Sequence, residues 1–321
     1  MSTADPAFGL SIVVPVYNGA ASVPTLVAEL GALEAPGGLE LVLVNDGSRD
    51  NSLQACRDLC RRDEVALSVV NLARNFGEHN AVMAGLGYAR GAYIITMDDD
   101  LQNPPGEVLR LWRYCSEHGY DVVYTHYAHK KHALWRNIGS RLANWFADLL
   151  LDKPPGVYLS SFRCMNALTA RAILEHTGPF PYIDGLIMQV TSNVGRLEVQ
   201  HKARADGRSN YTFRRLLRLF MSMFLNFSVM PLRISTIVGF TFAGIGLLGF
   251  VAVLGEALVW GHTPRGWASM VAATLVLSGV QLVMLGIVGE YLGHLFLTVN
   301  RKPQYVVRDV ERNQRAMKDS Q

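Results

Sequence analysis

Long runs of consecutive apolar residues, rather than alternating ones, mark the first hundred positions of the chain. Segments with helical spacing separate these runs, and polar residues follow them. The four runs are LSIVVPVY (10–17), LELVLVND (39–46), VALSVVNL (65–72) and AYIITMD (92–98). Strands that are apolar on both faces are typical of a parallel sheet covered by helices. The pattern therefore predicts an α/β fold with a mostly parallel sheet, whose ligands bind where the strands end.

Two much longer apolar stretches lie in the last third of the chain, at residues 234–260 and 267–289. Each exceeds the roughly 20 residues that a helix needs to cross a bilayer, and Glu256 is the one charged side chain within them. A pair of buried helices in a soluble domain is the alternative, but it requires neither this length nor this lack of charge. The stretches predict a two-helix transmembrane hairpin in residues 234–294, with spans at about 234–260 and 267–291.

Basic residues flank this hairpin on both sides, whereas the short loop inside it carries only Arg265 and a histidine. The flanking residues are Arg214, Arg215, Arg218 and Arg233 before the hairpin and Arg301, Lys302 and Arg308 after it. Positive charge beside membrane spans marks the cytoplasmic side, and MSTADPAFGL lacks the pattern of a secretory signal. We expect a multi-pass protein of the inner (cytoplasmic) membrane, with its soluble domain and both termini in the cytoplasm.

The segment between the soluble part and the hairpin, residues 211–233, mixes arginines with Leu, Phe and Met at helical spacing. Such a pattern is typical of an amphipathic helix that lies against anionic lipid headgroups, and a core helix is the alternative. The predicted boundaries are therefore 1–210 for the soluble domain, 211–233 for the juxtamembrane segment, 234–294 for the hairpin and 295–321 for a cytosolic tail.

Composition narrows the class of protein further. Half of the 321 residues are apolar and only 18% are charged, a more apolar balance than a soluble enzyme needs. The net charge of +3 is too small to indicate a nucleic-acid partner. The four cysteines, Cys56, Cys60, Cys115 and Cys164, have no second pair and no histidines at ligand spacing. We interpret them as reduced packing thiols rather than as a metal site.

Three consecutive aspartates follow the fourth apolar run, in TMDDDLQNPP (96–105). Asp98 and Asp100 point to the same side of an extended chain, and Gln102 falls on the same alternation. Carboxylate and amide oxygens suit Mg²⁺ or Mn²⁺, which commonly bridge protein carboxylates to phosphate oxygens. We predict a divalent-cation site at Asp98, Asp100 and Gln102, with Asp99 pointing elsewhere. A solvated acidic loop is the alternative.

Two further polar clusters follow neighbouring runs and are expected at the same sheet edge. Asn45 and Asp46 come after the second run, where a carboxylate could accept hydrogen bonds from a base or ribose. An Asx turn with Gly47 at positive φ is the alternative for this cluster. Arg74 follows the third run and brings a positive charge to the same edge.

Cationic side chains suited to phosphate lie between these strands and the membrane segments. The segment HYAHKKHALWRNIGSR (126–141) is strongly basic, and Arg163, Arg204 and Arg208 follow it. Its three histidines could suggest zinc, but they lack a fourth ligand and lie beside lysines, so a basic loop near an anionic substrate fits better. A metal held by acids, surrounded by arginines and placed at a bilayer indicates two phosphorylated substrates, one of them a lipid.

The motifs occur in a characteristic order: SIVVPVYN, LVNDGSRDNS, RNFGEHNAVMAG, ITMDDDLQNPP, GYDVV, SSFR, RADGRSNYTF, two apolar spans and RKPQYVV. In this order the chain resembles glycosyltransferase family 2, and more narrowly its polyprenyl-phosphate glycosyltransferases. The resemblance implies a Rossmann-like, type-A glycosyltransferase fold and an inverting, metal-dependent hexosyl or aminosugar transferase. Its expected substrates are a nucleotide sugar, UDP-linked rather than GDP-linked, and an undecaprenyl-type phosphate, for cell-envelope glycan or lipid modification. Mg²⁺ or Mn²⁺, the lipid bilayer and a second copy of the chain complete the expected partners.

The resemblance also implies roles for individual residues. Those expected to bind the nucleotide sugar are Pro15, Tyr17, Asn18, Asp46, Arg74, Asp98, Arg204 and Ser209. Those expected to bind the lipid phosphate are Lys131, Arg136, Arg141 and Arg163. The catalytic set comprises Asp98, Asp100, Arg136 and Arg163, with Asp98, Asp100 and Gln102 as metal ligands.

The chain departs from the family pattern at several positions: Gly19 stands where many members have Glu, Asn45 where Asp is frequent, Asp99 and Ser161 where a small residue and Gly are usual, and Asn210 in place of Lys. A phosphate acceptor is already an anionic nucleophile at neutral pH, so no general base is required. Asp184 is the best candidate if one is, with a helix cap as its alternative role. A processive or hydroxyl-acceptor family 2 glycosyltransferase and a non-catalytic membrane scaffold that retains the fold are the competing functions.

Overall fold

Eight strands in the described part of the chain form one sheet. The computed structural model describes residues 6–127, 158–200, 236–242, 244–246, 248–249, 266–300 and 302–318. The strands are β1 (Phe8–Val16), β2 (Leu39–Asn45), β3 (Ala66–Leu72), β4 (Gly91–Thr96), β5 (Val122–Tyr127), β6 (Arg163–Asn166), β7 (Val194–Val199) and β8 (Val307–Arg312). Their order across the sheet is β7-β5-β6-β4-β1-β2-β3-β8.

The central strands confirm the predicted parallel arrangement. β1 pairs in parallel with both β2 and β4, and β2 pairs in parallel with β3. All residues of β2 and β3 are buried, as expected for strands with helices on both faces. β6 and β8 run antiparallel to their neighbours, so the whole sheet is mixed.

Helices connect these strands and continue beyond them. They are α1 (Val23–Gly31), α2 (Ser52–Arg62), α3 (Glu78–Tyr88), α4 (Pro105–Glu117), α5 (Ala167–Leu174), α6 (Ile183–Val190), α7 (Thr236–Gly246), α8 (Trp267–Val299) and α9 (Gln314–Lys318). α3 lies close against the sheet because it carries Gly85, where an added Cβ would come within 2.3 Å of the Val13 side chain. The four cysteines are free and buried, and burial raises the pKa of the Cys56 thiol to about 12, which agrees with a packing role.

The chain divides into two compact units. Met1–Asn210 and Arg301–Gln321 form the first unit, and Tyr211–Asn300 form the second. The C-terminal residues thus belong to the sheet-bearing unit, where β8 pairs antiparallel with β3. The sequence predicts residues 295–321 as a tail and gives no indication of this strand, because VRDVER offers only two apolar positions.

The second unit contains α7 and α8. Within α8, the 23 residues Leu277–Val299 have a mean hydropathy of 1.7, and none of their most apolar window is buried. By length and composition this is the one helix in the described part of the chain that could cross a membrane. α8 continues to Val299, eight residues past the predicted end of the second span. Much of the predicted first span, and all of the predicted interfacial helix, lie outside the described residues.

Candidate functional site

Asp46 lies directly after β2, at the carboxyl edge of the parallel strands. Its side chain is buried, and its two carboxylate oxygens accept hydrogen bonds from the backbone N–H groups of Phe76 and Gly77, at 2.7 and 2.9 Å. Burial raises the pKa of Asp46, and these two hydrogen bonds oppose the shift. Asp46 therefore holds the loop after β3 against the end of β2.

Gly47 allows the same two loops to meet. It has a φ of 63°, as the Asx-turn alternative expects, and an added Cβ would lie 2.4 Å from the Arg74 carbonyl carbon and from the Asn75 nitrogen. Only glycine fits a positive φ with backbone this close. Arg74 is exposed, and its guanidinium lies 4.7 Å from the centre of the Phe76 ring. The predicted donor residues Asp46 and Arg74 therefore share one edge of the sheet.

The loop after β1 is tied to the loop after β2. The Asn18 backbone N–H donates to Ser48 Oγ at 3.1 Å, and the Arg49 N–H donates to Asn18 Oδ1 at 2.9 Å. Asn18 has a φ of 57°, a conformation that asparagine tolerates better than most residues. Tyr17 is 44% exposed beside it, and Pro15 lies within β1. The structure thus brings Tyr17 and Asn18 to the same edge as Asp46.

The backbone of the acidic cluster is bent, whereas the sequence predicts an extended segment. β4 ends at Thr96, and the chain bends at residues 99–101, where Leu101 has a φ of 59°. A bulky residue rarely adopts this conformation, and such outliers are concentrated at functional sites. The Gln102 N–H donates to Asp100 Oδ1 at 3.2 Å across the bend. The extended alternation from which Asp98, Asp100 and Gln102 were predicted to share a side is therefore absent.

Asp98 and Asp99 have separate surroundings. Ser161 donates a hydrogen bond to Asp98 Oδ2 at 2.8 Å, a contact that the sequence did not indicate. Asp99 Oδ2 occupies the space beside Gly19, only 2.0 Å from where a Cβ at that position would lie. The expectation that Asp99 is not a metal ligand stays a prediction.

Arg163, the first residue of β6, lies in a buried cluster. One of its terminal nitrogens donates to Asp184 Oδ1, its Nε donates to Thr96 Oγ1 at 3.3 Å, and its side chain is 3% exposed. Tyr124 donates to the same Asp184 oxygen at 2.9 Å, and burial raises the pKa of Tyr124 well above its usual value. The pairing of Arg163 with a carboxylate rather than with phosphate could not be foreseen from the sequence, because Asp184 lies 21 positions away.

Asp184 lies in the first turn of α6 but does not cap it. Tyr182 is the N-cap residue, and its side chain makes no capping hydrogen bond. The alternative role of Asp184 as a helix cap is therefore wrong, and its carboxylate instead serves Arg163 and Tyr124. The part of Arg163 in phosphate binding stays a prediction.

Five predicted phosphate or donor residues lie outside the described residues. They are Lys131, Arg136, Arg141, Arg204 and Ser209. Their predicted roles are accordingly carried forward as proposals.

The acidic cluster is the candidate site for a divalent cation. Among the described residues, no group of three His, Cys, Asp or Glu side chains is arranged to hold a metal ion. The donor set nevertheless suits Mg²⁺ or Mn²⁺, since such ions are commonly held by one or two carboxylates together with substrate phosphates. Asp98 and Asp100 would supply the carboxylates and Gln102 a neutral oxygen.

A mixed α/β sheet that gathers carboxylates and an arginine at its carboxyl edge is the architecture of type-A glycosyltransferases. Over residues 11–176 the chain matches the family described as Glycosyl transferase family 2. Because this match covers half of its length and is supported by full-length relatives, the chain belongs to glycosyltransferase family 2.

The curated relatives confirm the narrower resemblance. The chain is 35% identical over 314 residues to the undecaprenyl-phosphate 4-deoxy-4-formamido-L-arabinose transferase of Pseudomonas aeruginosa, covering 94% of this chain and 90% of that protein. The protein of the same name from Shewanella sediminis is 34% identical over 309 residues, covering 94% and 92%. Both names describe enzymes that act on a polyprenyl phosphate.

A solved structure supports the fold. The glucosyl-3-phosphoglycerate synthase of Mycobacterium tuberculosis, in complex with Mn²⁺, UDP-glucose and phosphoglyceric acid, aligns with a TM-score of 0.51 at 16% identity. The alignment covers 68% of this chain and 79% of that one. At this identity the similarity concerns the fold alone.

Proposed function

We propose that this chain transfers a sugar from a nucleotide diphosphate sugar to the phosphate of a polyprenyl lipid, at the cytoplasmic face of a membrane. The observation that carries the proposal is similarity over 94% of the chain to undecaprenyl-phosphate sugar transferases. This match includes the apolar helix α8 as well as the sheet, so it supports a membrane-bound acceptor in addition to a nucleotide-sugar donor.

The donor would bind across the carboxyl edge of the parallel strands. Tyr17 and Asn18 lie on one side of Asp46, and Arg74 lies on the other, which suits a nucleoside flanked by loops. The buried Asp46 carboxylate fixes the position of the loop after β3 rather than being freely exposed to a ligand. We propose a UDP-linked donor, in keeping with the UDP-glucose bound by the similar structure.

The diphosphate would lie at Asp98 and Asp100. A divalent cation bound there would neutralise the leaving diphosphate. Ser161 orients Asp98 from the neighbouring strand, since its hydroxyl donates to that carboxylate. The backbone oxygen of Ser161 also accepts a hydrogen bond from Thr96 at 2.7 Å, and Thr96 in turn accepts one from Arg163. The start of β6 and the acidic cluster are thus held in one arrangement.

In the proposed reaction, an oxygen of the acceptor phosphate forms a bond with the anomeric carbon as the bond to the nucleotide diphosphate breaks. No proton has to be removed from the acceptor, because the phosphate monoester is already ionised. The site must then mainly align the two substrates and stabilise charge. We propose that Arg136 and Arg163, with Lys131 and Arg141, bind the lipid phosphate and that Arg204 binds the diphosphate of the donor. Ser209 would belong to the loop that closes over the donor.

We propose that the second unit anchors the enzyme through a two-helix hairpin and an amphipathic helix. The exposed apolar surface of α8 supports a membrane-embedded helix, and the basic residues around the hairpin support a cytoplasmic location for the sheet-bearing unit. Association with a second copy of the chain is part of the same proposal.

The test is transfer by the full-length protein with undecaprenyl phosphate, Mg²⁺ or Mn²⁺, and a panel of radiolabelled nucleotide sugars. Labelled product in the organic extract identifies the donor. Asp100→Ala should lower the rate by about 100-fold or more, because charge on the leaving group loses its stabilisation. Asp99→Ala, the matched control one residue away, should lose far less.

Membrane insertion of each variant is checked by alkaline extraction. An Asp100→Ala enzyme that is inserted and active would remove the metal assignment. A wild-type protein that yields no extractable product with any donor would favour a scaffold instead.

A further inference from the structure

A series of hydrogen-bonded polar side chains crosses the sheet, from the partly exposed Asp309 on the edge strand to the candidate donor site. Asn71 Nδ2 donates to Asp309 Oδ2 at 2.8 Å, and Asn45 Nδ2 donates to Asn71 Oδ1 at 3.0 Å. The Ser48 backbone N–H then donates to Asn45 Oδ1 at 3.3 Å. Asn45 and Asn71 are only 2% and 4% exposed, so few alternative partners are available to their amides.

The chain of hydrogen bonds has a direction that Asp309 sets at one end. A carboxylate only accepts hydrogen bonds, so Asn71 must turn its amino group toward Asp309 and its oxygen toward Asn45. Asn45 must then present its amino group to Asn71, which leaves its oxygen facing the Ser48 N–H. If either amide turned around, two donors or two acceptors would meet inside the sheet, which is unfavourable.

Beyond Ser48 the contacts continue to the loop after β1. Ser48 Oγ accepts a hydrogen bond from the Asn18 N–H at 3.1 Å, which positions the loop that carries Tyr17. Asp46 lies between Asn45 and Ser48 in the sequence. The orientation imposed at β8 is therefore transmitted to the loop after β2 and to the loop after β1, which form one side of the proposed nucleoside site.

The position of Asp309 is itself well defined. It lies opposite Asn71 in the β3–β8 pair, where the register shifts between Asn71 and Leu72. Arg57 of α2 donates to Asp309 Oδ1 at 2.7 Å and forms an ion pair with Glu311 at 2.6 Å. Although burial raises the pKa of Asp309, the hydrogen bonds from Asn71 and Arg57 outweigh it and lower the pKa. Asp309 is therefore ionised at neutral pH.

We propose that Asp309 is a positioning residue for nucleotide binding, which it supports through Asn71, Asn45 and Ser48. The proposal rests on the proposed function, since it takes the loops after β1 and β2 as the donor site. It assigns the C-terminal strand a part in donor affinity that neither its distance in sequence nor the family motifs would suggest.

Glu311 offers a matched control for the test. Asp309 and Glu311 both pair with Arg57, but Asp309 is the one that accepts from Asn71. Asp309→Ala and Glu311→Ala should therefore have similar effects on the anchoring of β8 to α2. Only Asp309→Ala should disturb the hydrogen bonds that run from Asp309 through Asn71 and Asn45 to Ser48. Asp309→Asn keeps one acceptor oxygen and should restore part of the affinity.

The measurements use full-length protein in nanodiscs, with UDP and GDP as probes in calorimetry and with transfer kinetics. We expect Asp309→Ala to raise the nucleotide Kd and the donor KM about tenfold, the effect of losing a charged hydrogen bond. The kcat and the acceptor KM should stay unchanged, and Glu311→Ala should stay within about twofold of wild type. Thermal unfolding of both variants reports the shared structural effect.

Equal nucleotide affinities in Asp309→Ala and Glu311→Ala would overturn the inference while leaving the proposed function intact. A wild-type protein that binds neither nucleotide would overturn both. A Kd that rises only in Asp309→Ala, with partial recovery in Asp309→Asn, supports the inference.

Discussion

The Asp99 carboxylate fills the space that a side chain at position 19 would need, which makes a substitution of Gly19 informative. In Gly19→Ala, the new Cβ would lie 2.0 Å from Asp99 Oδ2, 3.1 Å from Asp99 Cγ and 3.3 Å from Ser22 Oγ. Favourable contacts between such atoms begin at about 3.5 Å, so the carboxylate oxygen must move by roughly 1.5 Å. Asp99 has a short side chain and Gly19 is buried, so this movement requires a change of rotamer or a shift of the acidic loop.

The cost can be estimated from overpacking in other proteins, which destabilises by about 1–3 kcal/mol. For a unit of this size, each kcal/mol lowers the Tm by about 2–4 °C, so Gly19→Ala should lower it by roughly 2–12 °C. Asp99→Ala removes the carboxylate that causes the clash. The double variant should therefore recover about 1–2 kcal/mol relative to the sum of the single variants.

The assay is thermal unfolding of the purified wild type, both single variants and the double variant at one scan rate. Gly106→Ala is the control, because an added Cβ there meets nothing within 4 Å and alanine favours the helix α4. It should not lower the Tm. Strictly additive effects of Gly19→Ala and Asp99→Ala would show that the two positions do not share space, and the reasoning would be refuted.

Two further predictions concern single side chains at the same edge. Asp46→Asn keeps one acceptor for the two N–H groups of Phe76 and Gly77, so it should cost about 1–3 kcal/mol in thermal unfolding; an unchanged Tm would contradict the role of Asp46 in holding that loop. Burial, reinforced by the charge of Arg163 and opposed by Asp184, lowers the pKa of His79 below 6.5. The unfolded chain then binds this proton more readily, so stability falls as the pH drops through about 6.5 toward the folded pKa, and His79→Gln should flatten that part of a Tm-against-pH curve. An identical curve in the variant would count against this assignment.

The sequence predicts the parallel centre of the sheet well and its antiparallel strands poorly. Continuous apolar runs identify β1 to β4 because these strands are buried on both faces, which is a strong compositional signal. The strands β6 and β8 are short and carry charges, so their antiparallel pairing depends on contacts with distant parts of the chain.

The candidate site shows a similar division. The positions of Tyr17, Asp46 and Arg74 just after the apolar runs correctly predict that they share one edge of the sheet, because parallel strands end together. The acidic cluster was predicted from the alternation of an extended chain, and the left-handed conformation of Leu101 breaks that alternation. No local pattern signals a leucine at positive φ, nor the pairing of Arg163 with Asp184.

The pairing of β8 with β3 also constrains how the polypeptide can run through a membrane. Both ends of the Tyr211–Asn300 unit connect to the same sheet-bearing unit, so in the proposed membrane protein we expect them on the same side of the bilayer. A chain that leaves and returns to one side crosses an even number of times. If α8 makes one crossing, we therefore expect a second crossing elsewhere in the Tyr211–Asn300 unit. An even number of crossings is what the proposed hairpin requires, and this expectation follows from the pairing of β8 with β3 rather than from the distribution of charge.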